Sequence, residues 1–284
     1  MKNSAILLIS CKDKKGVVAE ISNFIFKNNG NILHSDQHID FETNTFFMRI
    51  EWDLTGFRIS RDKIIEKFKP IIKKFKIKYE LKFSDYVPKV ALFVSKYDHC
   101  LIDLLARYRA GEFNCKIPLI ISNHPDLKDI AEYFHIKYYI FPITKENKIS
   151  QEKEELKLLK KENIDLIILA RYMQILSGKF IRHYKNRIIN IHHSFLPSFA
   201  GANPYKQAYN KGVKLIGATS HYVTEELDKG PIIEQEVIRV SHRDSLEKFI
   251  GKGKDIEKIV LARAVKLHLE NRILVFKNKT VIFD

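Results

Sequence analysis

The chain lacks the patterns that mark disulfide-stapled, zinc-built or membrane-spanning proteins. Its 284 residues include three cysteines, Cys11, Cys100 and Cys115, and none forms a CxxC pair. The sequence therefore offers no disulfide framework and no common zinc spacing, which fits a reducing cytoplasm. No apolar run is long enough to cross a bilayer. The apolar start at residues 1–11 lacks a cleavage-site pattern and leads into Lys12, so we expect a first strand and not a signal peptide.

Positive charge is abundant, but arginine-rich stripes with interleaved aromatic residues are missing. The formal net charge is +15. One interpretation is nucleic-acid binding. However, lysines alternate with glutamates in the predicted helices at 63–69 and 152–162, which favours a solvated surface. A third interpretation is attraction of an acidic small-molecule substrate.

The first part of the chain predicts a ferredoxin-like βαββαβ domain. Apolar periodicity, turn residues and helix-start signals give strands at Ala5–Ser10, Asn31–Asp40, Thr45–Asp53 and Ile77–Phe83, and helices at Val17–Asn28 and Ile64–Phe75. Gly30 suits the left-handed position after the first helix. The polar stretch before Pro88 predicts a boundary, with domains at 1–84 and 85–284.

The second part alternates strands with helices, which predicts a Rossmann-like, mostly parallel sheet. Predicted strands are 90–95, 117–122, 138–141, 164–170, 187–192, 214–223 and 232–240. Predicted helices are 100–109, 127–134, 152–162, 176–183 and 245–271, with a terminal hairpin at 273–283. In open α/β sheets, binding sites form beyond the carboxyl ends of the strands. Both Arg171 and His192 stand at such ends.

One strand end carries candidate catalytic side chains. Side chains alternate along a strand, so Asn190 and His192 should share a face while His193 points to the other. Pro197 ends the pairing because it has no backbone donor. Asp228 follows in a polar turn closed by Gly230 and Pro231. An amide donor, an imidazole and a carboxylate together suit attack on a carbonyl and stabilisation of its oxyanion.

These residues resemble a known signature. The run from Asn190 to Ser198 and the turn at 228–232 are similar to the folate-dependent formyltransferase superfamily. The longer runs at 170–176, 192–197, 201–208 and 261–265 resemble its hydrolytic formyltetrahydrofolate deformylase branch. The turn at 13–16 and the Gly30-Asn31-Ile32 run resemble an ACT regulatory domain, so the resemblance covers nearly the whole chain.

The resemblance implies a function and a set of site residues. Asn190, His192 and Asp228 would form the catalytic triad, and Arg171, Met173 and Ile175 would contact the pterin of the folate. The expected reaction is hydrolysis of 10-formyltetrahydrofolate to formate and tetrahydrofolate, which supplies formate for purine synthesis and balances the one-carbon pool. The folate is then a substrate, and no cofactor or metal is expected. His221 stands on a strand leading towards Asp228, so it is either a supporting group behind the triad or a core residue.

The sequence leaves more than one interpretation of the formyl chemistry. Relatives that formylate a phosphoribosyl amine carry a glycine-rich phosphate loop after the first strand of this domain. The corresponding segment here, Ser95–Cys100, has no glycine, which favours water. The alternatives are transfer to an amine, or an inactive regulatory protein that binds folate. The ACT-like domain predicts an amino-acid effector, glycine or methionine, and a homo-oligomer.

Two other patterns are weaker. Gly251-Lys-Gly-Lys254 has some features of a phosphate loop but lacks the Gly-Lys-Ser/Thr ending. His183, His192, His193 and His221 contain no HExxH or paired-ligand spacing. Neither a nucleotide site nor a metal hydrolase is therefore predicted.

Overall fold

The computed structural model describes residues 3–198 and 204–284, and these divide into two compact units. The first unit runs to Val87 and also holds Asn271–Leu274 and Val281–Asp284. The second unit comprises Pro88–Glu270 and Val275–Thr280.

The first unit has the predicted βαββαβ order. Its elements are β1 (Ser4–Lys12), α1 (Val17–Lys27), β2 (Asn31–Asp40), β3 (Thr45–Asp53), α2 (Ile64–Phe75) and β4 (Lys78–Phe83). The strands form one antiparallel sheet in the order β2-β3-β1-β4. Val17, Ile21 and Ile25 recur four residues apart on α1, so that face of the helix is buried. It joins a core that includes Trp52 and Phe68.

The second unit is built on a seven-stranded sheet. Its strands are β5 (Lys89–Val94), β6 (Lys116–Ser122), β7 (Lys137–Ile140), β8 (Leu166–Leu169), β9 (Ile188–His192), β10 (Leu215–Tyr222) and β11 (Ile232–Arg239). The order is β11-β10-β9-β8-β5-β6-β7. The five strands from β9 to β7 pair in parallel. β10 pairs antiparallel with both of its neighbours, β9 and β11. The mostly parallel α/β prediction is confirmed.

Helices connect these strands. They are α3 (His99–Arg109), α4 (Lys128–Tyr133), α5 (Lys148–Lys161), α6 (Gly178–His183), α7 (Pro204–Lys211) and α8 (Leu246–Leu269), followed by the hairpin β12 (Ile273–Phe276) and β13 (Lys279–Ile282). Sequence periodicity did not predict α7, which carries few apolar residues. It also placed the start of α5 four residues too late. Among the described residues, no helix is long and apolar enough to pass through a membrane.

The glycine-lysine run at 251–254 lies inside α8 and forms no loop. A side chain at Gly253 would overlap the ring of Tyr205, so this glycine allows close packing against the helix. The structure gives the run a packing role and no phosphate-loop geometry.

Candidate active site

A cleft lies beyond the carboxyl ends of β8 and β9. At β9 the sheet changes from parallel pairing with β8 to antiparallel pairing with β10. Asn190, His192, His221 and Asp228 all line this cleft. The cleft therefore brings together the three predicted catalytic residues and the predicted supporting histidine. It also lies where open α/β sheets form their binding sites.

Strand register places His221 beside Asn190. The antiparallel pairing of β9 with β10 sets Asn190 opposite His221 and His192 opposite Thr219. Asn190 Nδ2 and His221 Nε2 lie 3.2 Å apart. Side chains of directly opposed residues are neighbours on one face of a sheet. His221 is thus a direct contact of Asn190 and does more than fill the core.

The partners of His221 define the direction of this contact. Its Nδ1 lies 3.0 Å from the Tyr222 carbonyl oxygen, which can only accept. Nδ1 therefore carries a proton, and in the neutral imidazole Nε2 accepts a hydrogen bond from the Asn190 amide. One N–H of Asn190 is used in this way. The second N–H is left for a ligand oxygen.

Asp228 pairs with His192. Its Oδ2 lies 3.2 Å from His192 Nδ1, and its Oδ1 lies 3.6 Å from His221 Nε2. Burial raises the pKa of the Asp228 carboxyl, but the hydrogen bond from His192 lowers it by more. The net pKa lies well below its ordinary value, so Asp228 is an ionised carboxylate across the neutral pH range. His192 Nε2 is buried, with no hydrogen-bond partner among the described residues.

His193 corrects one expectation. It was predicted to point away from the cleft, yet it lines the same cleft as His192, and their ring centroids lie 5.4 Å apart. Alternation does not extend to His193, because β9 ends at His192. Burial, followed by the charge of Arg171, lowers the pKa of His193 to about 3. His193 is therefore a neutral wall of the cleft.

The predicted folate contacts all line the cleft but differ in exposure. Met173 and Ile175 present exposed apolar side chains, 52% and 58% accessible. The Met173 backbone N–H donates to Ser95 Oγ at 2.9 Å, so the loop is tied to the end of β5. Arg171 instead buries its side chain, and its φ of 63° lies in the left-handed region that few non-glycine residues adopt.

Arg171 belongs to a buried ionic cluster that the sequence did not reveal. Its Nε lies 3.4 Å from Glu257 Oε2, and its guanidinium stacks 4.8 Å from the centroid of the Tyr97 ring. Glu257 Oε2 also lies 2.8 Å from His99 Nε2, and Tyr205 donates to Oε1 at 2.6 Å. Burial raises the pKa of Glu257, but the hydrogen bond from His99 and the charge of Arg171 bring it below the ordinary value. Glu257 is therefore a buried anion held by three neighbours.

Three ligand atoms of the kind that bind metals occur in this cluster. Atoms of His99, Cys100 and Glu257 lie within 4.8 Å of one another. However, Arg171 already neutralises the Glu257 carboxylate. Burial, followed by the charge of Glu257, also raises the pKa of the Cys100 thiol well above its ordinary value, which keeps it protonated. The charges suit an ion-pair cluster better than a cation site.

Comparison with known proteins covers the whole chain. The formyl transferase family model matches residues 88–265, and the ACT domain model matches residues 5–72. The formyltetrahydrofolate deformylase of Synechocystis sp. is 56% identical over 99% of this chain and 98% of that protein. The Bacillus subtilis formyltetrahydrofolate deformylase is 47% identical over 98% of this chain and 93% of its own length.

A solved structure shows the same architecture. The crystal structure of a formyltetrahydrofolate deformylase from Pseudomonas syringae pv. tomato matches with a TM-score of 0.97 and 47% identity, covering 100% of this chain and 95% of that one. The order of an ACT domain before a formyl transferase domain agrees with the two family models. The chain therefore belongs to the formyltetrahydrofolate deformylase family.

Proposed function

We propose that this protein hydrolyses 10-formyltetrahydrofolate to formate and tetrahydrofolate. The observation that carries the proposal is the convergence of Asn190, His192 and Asp228 in one cleft. His221 completes the arrangement through its contact with Asn190. Relatives that match nearly the full chain bear the name of this activity.

The reaction needs a polarised carbonyl and an activated water. Water adds to the formyl carbon, and its proton passes to the Asp228–His192 pair. The N–H of Asn190 that His221 leaves unused stabilises the oxyanion. The intermediate then collapses: the C–N bond breaks, the folate nitrogen takes a proton, and formate leaves. Because His192 faces Asp228 through Nδ1, Nε2 is the nitrogen that remains for the formyl group.

The folate would lie against the loop that follows β8. Met173 and Ile175 offer exposed apolar surface for the flat pterin, and backbone groups of the loop offer hydrogen bonds. Arg171 contributes through its backbone, because its guanidinium is engaged by Glu257 and Tyr97. Arg171 therefore still lines the cleft, but its side chain does not contact the pterin as expected.

Water is the better acceptor because the Ser95–Cys100 segment is occupied by internal contacts. Ser95 Oγ donates to Asn123 and accepts from Met173. Tyr97 stacks on Arg171, and His99 binds Glu257. The segment therefore supports the cleft and lacks the glycine-rich backbone of a phosphate cradle. Transfer to an amine is the alternative function.

Further properties belong to the same proposal. The reaction uses no cofactor or metal beyond the folate substrate. The first unit binds a small amino acid, glycine or methionine, and the protein is a homo-oligomer. Its compartment is the cytoplasm, where its free cysteines would remain reduced. Formate would then feed purine synthesis.

The test is formate release from 10-formyltetrahydrofolate with no amine added. Asp228→Asn should lower release by about 10²–10³-fold, in line with the loss of a group that stabilises the transition state. Glu226→Gln is the matched control, because it makes the same carboxylate-to-amide change on an exposed side chain two residues away. No release by the wild type, or turnover only with an added amine, would overturn hydrolysis. Full activity in Asp228→Asn with an intact circular dichroism spectrum would remove Asp228 from the mechanism.

A further inference from the structure

The turn of the C-terminal hairpin contacts the loop that carries Asp228. Asn278 lies between β12 and β13, and its Nδ2 donates to the Lys229 carbonyl at 2.9 Å. Thr280, on β13, donates from Oγ1 to the Ile232 carbonyl at 2.6 Å. Both side chains thus bind backbone carbonyl groups on the carboxyl side of Asp228. Asn278 binds the residue directly after Asp228, and Thr280 binds a residue further along.

The Asp228 loop needs such support. Asp228 has a φ of 56°, a left-handed conformation that Asp adopts more readily than most residues but that still costs more than it would at glycine. Such a conformation persists where surrounding contacts over-determine the backbone. On one side, the Tyr222 N–H of β10 donates to the Pro231 carbonyl at 2.9 Å. The hairpin supplies two further bonds, from Asn278 in its turn to Lys229 and from Thr280 on β13 to Ile232.

On the carboxyl side of Asp228, the loop's own contacts are weaker. Lys229 N–H reaches the Glu226 carbonyl at 3.4 Å, which is long for a hydrogen bond. The Lys229–Glu226 ion pair is exposed on both side chains, and exposed pairs of this kind add little. On the carboxyl side of Asp228, the backbone is therefore held mainly by β10 and by the hairpin.

We propose that Asn278 and Thr280 are positioning residues for Asp228. They hold the backbone after Asp228 so that its carboxylate meets His192 at 3.2 Å. Neither residue is among those that line the cleft, so we expect them to affect turnover more than substrate binding. The proposal rests on the hydrolase function, because it assigns these residues to the same carboxylate.

The variants Asn278→Ala and Thr280→Val test the two bonds. The expected loss in kcat is about 3- to 10-fold for each, the factor that one hydrogen bond commonly contributes. KM for 10-formyltetrahydrofolate should stay within about 2-fold, because the substrate contacts are untouched. Thr280→Ser keeps the hydroxyl and should restore kcat. Lys279→Ala, at the exposed position between them, is the control.

The pH profile separates positioning from general destabilisation. The Asp228 pKa is low because the hydrogen bond from His192 stabilises its charge, so a loosened loop that weakens this bond lets the pKa rise. The acid limb of kcat should then move to higher pH in Asn278→Ala and Thr280→Val. In Lys279→Ala and Thr280→Ser it should stay in place.

Two results would overturn the proposal. The first is that Asn278→Ala and Thr280→Val show the same kcat, and the same acid limb of the pH profile, as Lys279→Ala. The other is a loss of activity explained wholly by a lower unfolding temperature, with an unchanged acid limb. Formate release by the wild type is measured in the same series. If the wild type releases no formate, the hydrolase function itself is refuted. If the wild type releases formate and either of the two results is found, only the positioning role is refuted.

Discussion

Replacing Glu257 by Gln removes one charge from the buried cluster and keeps the shape of the side chain. Glu257 is fully buried, and the side chain of Arg171 is only 8% exposed. Arg171 Nε and Nη1 have no hydrogen-bond partner among the described residues, so Glu257 is the counter-charge of the guanidinium there. The variant therefore leaves a buried cation without an anion.

The cost follows from that geometry. Removing one partner of a buried ion pair destabilises a protein by about 3–5 kcal/mol. Each kcal/mol shifts the melting temperature of a domain of this size by about 2–4 °C, so the expected fall is about 6–20 °C. The hydrogen bond from Tyr205 has an acceptor oxygen in the amide as well, so most of the loss comes from the charge.

The assay is thermal unfolding of the full chain, combined with a double-mutant cycle. Arg171→Met removes the cation and keeps an apolar stem. The double variant should be less destabilised than the sum of the single variants, by about 1–3 kcal/mol, because the unpaired charge is gone. Formate release by the soluble fraction of Glu257→Gln should fall as well, since Arg171 begins the loop that lines the cleft.

Two results would refute this reasoning. If the free energy of unfolding falls by less than about 1 kcal/mol in Glu257→Gln, Arg171 tolerates the loss of its anion. Strict additivity of Glu257→Gln and Arg171→Met would show that the two charges do not act as a pair.

Two further predictions concern buried groups near the cleft. Gly230→Ala should abolish formate release and lower the melting temperature, because its methyl group would overlap the Tyr222 carbonyl oxygen; an active, stable variant would contradict the close packing. Burial, followed by the charge of Glu152, raises the pKa of Glu155 to about 8, so wild-type stability should fall as pH rises between about 4.5 and 8. Between pH 5 and pH 8, Glu155→Gln should therefore gain about 3–4 kcal/mol of stability relative to the wild type in urea unfolding, and a constant difference would contradict the raised pKa.

The sequence was most informative where side-chain periodicity and chemistry coincide. Strand alternation predicted that Asn190 and His192 share a face, and both line the cleft. The spacing to Asp228 came from the family resemblance and not from local structure, because no strand or helix pattern predicts a long-range pair. His193 was misplaced because alternation stops where β9 ends.

Buried charge was the main feature that the sequence could not reveal. The glutamates at 152–162 were read as a solvated face, and that was wrong for Glu152 and Glu155, which are 4% and 0% exposed. Glu152 accepts a hydrogen bond from the Ser177 N–H, so its role depends on a residue 25 positions away. Glu257 was missed for the same reason, since its partners come from three other segments. The helix at 204–211 was missed as well, and the predicted signature residues at 201–203 lie outside the described residues.

The source of the second formate oxygen tests the central claim most directly. Turnover of 10-formyltetrahydrofolate in H₂¹⁸O without an amine, followed by mass spectrometry of formate, reports whether water attacks the formyl carbon. The Asn190, His192 and Asp228 site predicts one ¹⁸O atom in each formate released, and loss of that signal in Asp228→Asn. Turnover that needs an added amine and yields a formylated amine in place of labelled formate would contradict it.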